Sequence, residues 1–103
     1  MSKEYSKITK DIPDTNDTKT GNAPDTTYGA AIALASICQT IDFYIFDNAA
    51  LVKVSYDGTN WGDEFEIPAD TIVSIDVNVH SFNIMNKTAA SVARYSVVGW
   101  YSV

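Results

Sequence analysis

From residue 30 onward the chain is a series of short β-type runs separated by turn signals, and that spacing limits the possible folds more than any other feature. The runs are AIALASI (31–37), IDFYIFDN (41–48), LVKVSYD (51–57), DEFEIP (63–68), TIVSIDVNVHSFNIM (71–85) and SVARYSVVGWYS (91–102). Six runs, with the fifth open to division near His80-Ser81, predict an all-β antiparallel sandwich of six or seven strands. In the fifth run Val73, Ile75, Val77 and Val79 alternate with Ser74, Asp76, Asn78 and His80, so one face is expected to pack and the other to stay wet. The first run is the ambiguous one. Leu34, Ile37, Cys38 and Ile41 also fit the i, i+3, i+4, i+7 spacing of a helix face, and strand is preferred here.

Residues 1–29 read differently. MSKEYSKITKDIPDTNDTKTGNAPDTTYG is rich in Lys, Asp, Thr and Asn, and its apolar residues Tyr5, Ile8, Ile12 and Tyr28 follow neither a helical nor a strand period. The composition describes an extended polar arm (1–29) ahead of a sandwich domain (30–103). Four apolar side chains cannot offset the backbone entropy of ordering so long a segment, so an ordered arm is expected to pair its backbone with other subunits. On this reading residues 1–27 contribute interface rather than core, and their removal leaves a folded sandwich.

A chain of 103 residues supplies one modest core. Its net charge of -6 is carried mainly by the second part: four lysines face five acidic residues in 1–29, against three basic and eight acidic residues beyond. A phosphate backbone would be repelled, so nucleic acid is not an expected partner. No apolar run reaches the roughly 18 residues of a membrane span, and MSKEYSKITKDIPD lacks the apolar core of a signal peptide. The expectation is a cytoplasmic product with no membrane partner, whose sole cysteine, Cys38, is a buried thiol within IALASICQTI.

Chemistry-bearing residues are sparse. The stretch Asp57-Gly58-Thr59-Asn60-Trp61-Gly62-Asp63 offers oxygen ligands at Asp57, Asn60 and Asp63, but their spacing matches no calcium loop and two carboxylates are few for that ion. The turn reading is preferred. Asp57-Gly58 ends a strand with a residue that tolerates positive φ, Gly62 adds a second flexible point, and Pro68 stops the DEFEI run. His80 is the sole histidine, with no nucleophile grouping beside it, and Glu64 and Glu66 share a strand face as surface carboxylates commonly do. No phosphate loop or zinc spacing is present. The chain therefore reads as a non-enzyme without cofactor or metal.

The aromatic residues say more. In FYIF (43–46) and VVGWY (97–101) both strand parities are apolar, so neither face of those strands can be left to water without exposing an apolar patch. Something must cover the second face: the opposing sheet with the arm, a neighbouring copy, or a flat ligand stacked on Tyr56, Trp61, Trp100 or Tyr101.

The succession of an apolar strand, then VKVSYDGTNWGDEFEIPADTIVSIDV, then a strand ending in ARYSVVGWY resembles small β-sandwich structural proteins of tailed bacteriophages. These are head decoration or auxiliary capsid proteins and the capsid-binding bases of head fibres. The resemblance spans residues 41–101 and matches Asp57, Gly58, Trp61, Pro68 and Ala69 as structural positions. It implies a virion component that binds the major capsid protein or other virion proteins and bridges capsid subunits through its arm, with self-association as a further expected contact. Partner contacts are expected at Tyr5, Ile8, Ile12, Tyr28, Tyr56, Trp61, Trp100 and Tyr101. Two other readings stand beside it: a small carbohydrate-binding module, marked by a coplanar exposed pair among Tyr56, Trp61, Trp100 and Tyr101, and a head-fibre or connector base protein.

Overall fold

In the computed structural model the described residues are 15–23 and 25–102. They form eight strands and no helix: β1 Thr15–Ala23, β2 Ile32–Cys38, β3 Thr40–Phe46, β4 Ala50–Ser55, β5 Phe65–Ile67, β6 Thr71–Ile75, β7 Val79–Asn86 and β8 Ala93–Tyr101. Two four-stranded antiparallel sheets result, in the orders β1-β8-β3-β6 and β2-β7-β4-β5. The nesting is regular. β1 pairs with β8, β2 with β7, β3 with β6 and β4 with β5, as though one long hairpin had been rolled up, and rolling adds the β3–β8 and β4–β7 pairings. This is the eight-stranded jelly roll.

Period-2 alternation places the core between the sheets. Ile41, Phe43 and Ile45 of β3 and Ala93, Tyr95 and Val97 of β8 point inward from one sheet, against Ala50 and Val52 of β4 and Phe82 and Ile84 of β7 from the other. Phe43 meets Phe65 and Phe82 edge to face at 6.1 and 5.7 Å, and Phe82 meets Tyr95 the same way at 6.2 Å. Such ring pairs contribute about 0.5–1.5 kcal/mol beyond burial of area.

Two sequence expectations change and one holds. Thr15–Ala23, assigned above to the arm, form an edge strand in register with β8 from Thr15↔Tyr101 to Ala23↔Ala93. An edge strand needs backbone partners more than a buried face, and here Ala23 alone is fully buried, which is why no apolar period marked it. Its backbone pairs with β8 of its own chain. Tyr5, Ile8 and Ile12 lie outside the described residues. The fifth run does divide, but at residues 76–78 rather than at His80-Ser81, because there the chain leaves one sheet for the other. Val77, placed on the packed face by alternation, is 47% exposed in that crossover. The first run is a strand; Leu34 and Cys38 point inward while Ile37 is 40% exposed. Its register with β7 shifts between Ala33 and Cys38, and that irregularity blurs the alternation.

Candidate functional site

The turn after β4 is built by two side chains. Asp57 accepts hydrogen bonds from the backbone N–H groups of Thr59 and Asn60 at 2.9 and 2.8 Å and from Asn60 Nδ2 at 2.8 Å. Those bonds, the backbone ones first, hold its carboxyl well below the usual carboxylate range. Ser55 Oγ accepts from the Gly58 N–H at 2.8 Å and donates to the Asn60 carbonyl at 2.6 Å. Gly58 sits at φ 84°, the left-handed region open to glycine. The loop then folds back on β4, with a Ser55↔Trp61 bridge and a Gly62 N–H bond to Val54 O at 3.0 Å. Asp57 Oδ1 is thereby committed to the turn's own N–H groups. His80 Nδ1 lies 2.6 Å from the hydroxyl of buried Ser81, beneath this turn. Pro68 ends β5 ahead of the Ala69-Asp70 turn, where Asp70 takes φ 56° and accepts from the Asp47 N–H at 3.2 Å.

On the outer face of the β2-β7-β4-β5 sheet, Tyr28 and Trp61 converge on one lysine. Lys53 Nζ stands 4.4 Å from the Tyr28 ring centroid and 5.4 Å from that of Trp61. The Tyr28 hydroxyl donates to Glu64 Oε1 at 2.8 Å; desolvation first, then that carboxylate, raises its pKa. Lys53 and Glu64 were not readable as partners, since contacts between loops leave no periodicity. Glu66 pairs instead with Lys87 at 2.9 Å, so Glu64 and Glu66 serve separate contacts.

The other sheet presents the second apolar parity noted above. Opposed residues of an antiparallel pair share a face, so the registers align Trp100 with Thr40 and Asn16, Val98 with Asp42 and Thr18, and Tyr44 with Ser96 and Ile72. Tyr44, Phe46, Val98 and Trp100 are half-buried and Ile72 is 60% exposed. Trp100 Nε1 donates to Asp42 Oδ2 at 3.3 Å, and Arg94 lies 4.7 Å over the Phe46 ring while pairing with Asp47 at 3.1 Å. Tyr101, one residue on, faces the opposite way and packs against the core. Tyr56 is 58% exposed beside the Asp57 turn. Tyr56 and Trp61 thus belong to one sheet and Trp100 and Tyr101 to the other, on opposite faces of β8.

A cleft of about 180 Å³ opens between the sheets where the 25–30 segment crosses from β1 to β2. Asn22, Asp25, Thr27, Asn83 and Tyr95 contribute its polar groups, and no lysine or arginine lines it.

No protein family matches the chain by sequence, and neither does any curated protein. Among solved structures the chain is similar to ToxT from Vibrio cholerae O395, crystallised bound to (E)-4-(8-methylnaphthalen-1-yl)but-3-enoic acid, with a TM-score of 0.50 and 16% identity. The likeness covers 84% of this chain and 31% of ToxT, so the chain spans less than a third of that protein's length. It concerns the fold alone.

Proposed function

We propose that the chain is a non-enzymatic structural protein of a tailed-phage virion, an auxiliary or decoration protein that binds the capsid lattice. The observation that carries this reading is the half-buried aromatic and apolar outer face of the β1-β8-β3-β6 sheet. A small acidic protein that keeps Tyr44, Val98 and Trp100 half-buried on the outer face of a sheet presents the aromatic anchors typical of protein interfaces, with polar Thr18, Thr40 and Ser96 around them. The jelly roll is also an architecture of viral capsid proteins, which supports the reading at the level of fold analogy. Residues 15–23 are engaged in the chain's own sheet, so any bridging of capsid subunits by the arm falls to the part ahead of Thr15.

Capsids of a phage that encodes the chain, stripped of it and incubated with purified protein, provide the test. Capture of the wild type, with at least about tenfold weaker capture of a Trp100→Ala, Tyr44→Ala variant that unfolds at an unchanged temperature, is the expected result. Equal capture of both proteins, or none of either, refutes the proposal. Copy number per particle then separates a decoration protein from a fibre or connector base.

A carbohydrate-binding module is the second reading, and the interlayer cleft favours it, because Asn22, Asp25, Thr27 and Tyr95 suit a neutral polyol. The carboxylic acid held by ToxT suits this cleft poorly: Asp25 supplies like charge and no cation lines the space to offset it. Saturable glycan binding that is lost on Asp25→Ala would install the carbohydrate reading.

A further inference from the structure

Four strands end the two sheets, and three of them carry a device that discourages pairing with another chain. Strand β1 holds two charged residues at alternate inward positions, Asp17 and Lys19, which form a 3.5 Å ion pair, and Asp17 also accepts from the Ala35 N–H. Strand β2 is broken by its register shift, and β5 is three residues long. Strand β6 has none of these. TIVSI contains no charge, proline or glycine, four of its five residues are β-branched, and its register with β3 runs unbroken from Ile41↔Ile75 to Ile45↔Thr71. Among the described residues β3 is the one strand paired with it, so its other backbone edge is open. Ile72, on that edge, is the most exposed of the large apolar side chains among the described residues, at 60%.

We infer that the β6 edge pairs antiparallel with β6 of a second copy about a two-fold axis, joining two β1-β8-β3-β6 sheets into one eight-stranded sheet. The occupant follows from the chemistry of the edge. Within the strand no charge meets its copy, and a pairing centred on Val73 sets Ile72 beside Ser74 of the second strand on the shared outer face, while the flanking Asp70 and Asp76 fall opposite one another at the two ends and oppose the contact. The two Ile72 side chains then lie diagonally across the axis, extending the apolar surface of Tyr44 and Ile72. The contact is isologous and closes at two copies. Away from the edge each copy carries a net charge of -6, which opposes association at long range. Salt screens that repulsion, so the dimer strengthens as ionic strength rises, whereas binding of a basic partner would weaken. The inference goes beyond the virion reading and does not depend on it.

Sedimentation velocity of the full chain, over a dilution series at low and high salt, tests it. The expected result is a monomer–dimer equilibrium that shifts toward dimer with salt. Ile72→Glu, which sets two more carboxylates near the axis beside Asp70 and Asp76, should raise the dimer dissociation constant at least about tenfold while leaving the unfolding temperature unchanged. Ser74→Glu should act in the same way, and it serves where Ile72→Glu fails to fold. Thr20→Lys on β1 should leave the dimer intact. A monomer at every concentration and salt overturns the inference, as does a dimer that survives both β6 variants or is lost with Thr20→Lys. Capsid capture, probed by Trp100→Ala, is a separate measurement, so failure of one proposal is distinguishable from failure of the other.

Discussion

Gly21 faces Tyr95 across the β1–β8 ladder, so closely that a Cβ on Gly21 would stand 2.7 Å from the phenol oxygen and 3.0 Å from Cζ. The ring fills the space a side chain would take, and its far side meets Phe82 in the core. Polar β1 is thereby joined to the apolar interior. Gly21→Val should destabilise by about 1–3 kcal/mol through overpacking. Combining Gly21→Ala with Tyr95→Phe, which removes the nearest atom, should recover part of the loss of the single Gly21→Ala variant. Denaturant titration of the four proteins reads this as a coupling energy, and strict additivity would show that the contact carries no strain.

A second close approach locks β8 against the first run. A Cβ on Gly99 would lie 2.5 Å from Cys38 Sγ and 3.3 Å from Leu34 Cδ1, both side chains being buried. Burial, and then the Asp17 carboxylate, push the Cys38 thiol up, so it remains protonated and inert at neutral pH. Gly99→Ala should cost about 1–3 kcal/mol, and Cys38→Ala in the same chain should restore much of that by vacating the sulfur's volume. Thermal unfolding of the two variants decides the point: no recovery in the double variant would place the strain elsewhere.

These contacts mark where sequence reasoning succeeds and where it stops. Strands that bury one face announce themselves, since β3 and β8 must repeat apolar residues every second position. Asp57-Gly58 likewise declares a turn, because its chemistry is local. Strand β1 was hidden because pairing at an edge is a property of backbone, and TNDTKTGNA has almost no side chain to bury. The break at 76–78 was hidden for the opposite reason: Val77 keeps the alternation in sequence while the chain changes sheets. The meeting of Tyr28, Lys53, Trp61 and Glu64 depends on how two loops cross, which no period records. The apolar second face of β3 and β8 was legible as a surplus; which sheet carries it became clear only with the strand order.

The β1–β8 pairing revises the consequence of truncation. A chain beginning at Asp25 lacks all nine partners of β8 and leaves the Tyr95 side of the core open where Ala23 had closed it. Compared with a chain beginning at Thr15, it should lose at least about 3 kcal/mol or its cooperative transition altogether, a large share of the 5–15 kcal/mol typical of a domain. Equal denaturation midpoints for the two chains would show β1 to be dispensable.

The Gly58 position tests the turn from the backbone side. At φ 84° a β-branched residue is strained, and a Cβ there would come within 3.3 Å of His80 Nδ1. Gly58→Val should destabilise by about 1–3 kcal/mol, with Gly58→Asn closer to wild type because Asn tolerates the left-handed region. Indistinguishable melting temperatures for Val and Asn would mean that the turn relaxes into another conformation.

Asp57 tests the same turn through pH. Its carboxylate is stabilised as the ion by the Asn60 and Thr59 N–H groups, so its pKa in the folded chain lies below that in the unfolded chain. The unfolded state then binds the proton more readily, and stability rises with pH across the interval between the two values. The contribution is complete above the unfolded carboxylate pKa of about 4 and is lost as pH falls through the lower folded value. Asp57→Asn keeps an oxygen acceptor for the N–H groups but removes the charge and the titration. The variant should be less stable than wild type at neutral pH, and the gap should narrow as the solution is acidified below about pH 4, where the carboxylate of the unfolded wild-type chain takes up its proton while the folded one stays ionised. Unfolding curves at neutral and acid pH measure the gap directly; one that stays constant across that range would show that the turn draws nothing from the ionised form of Asp57.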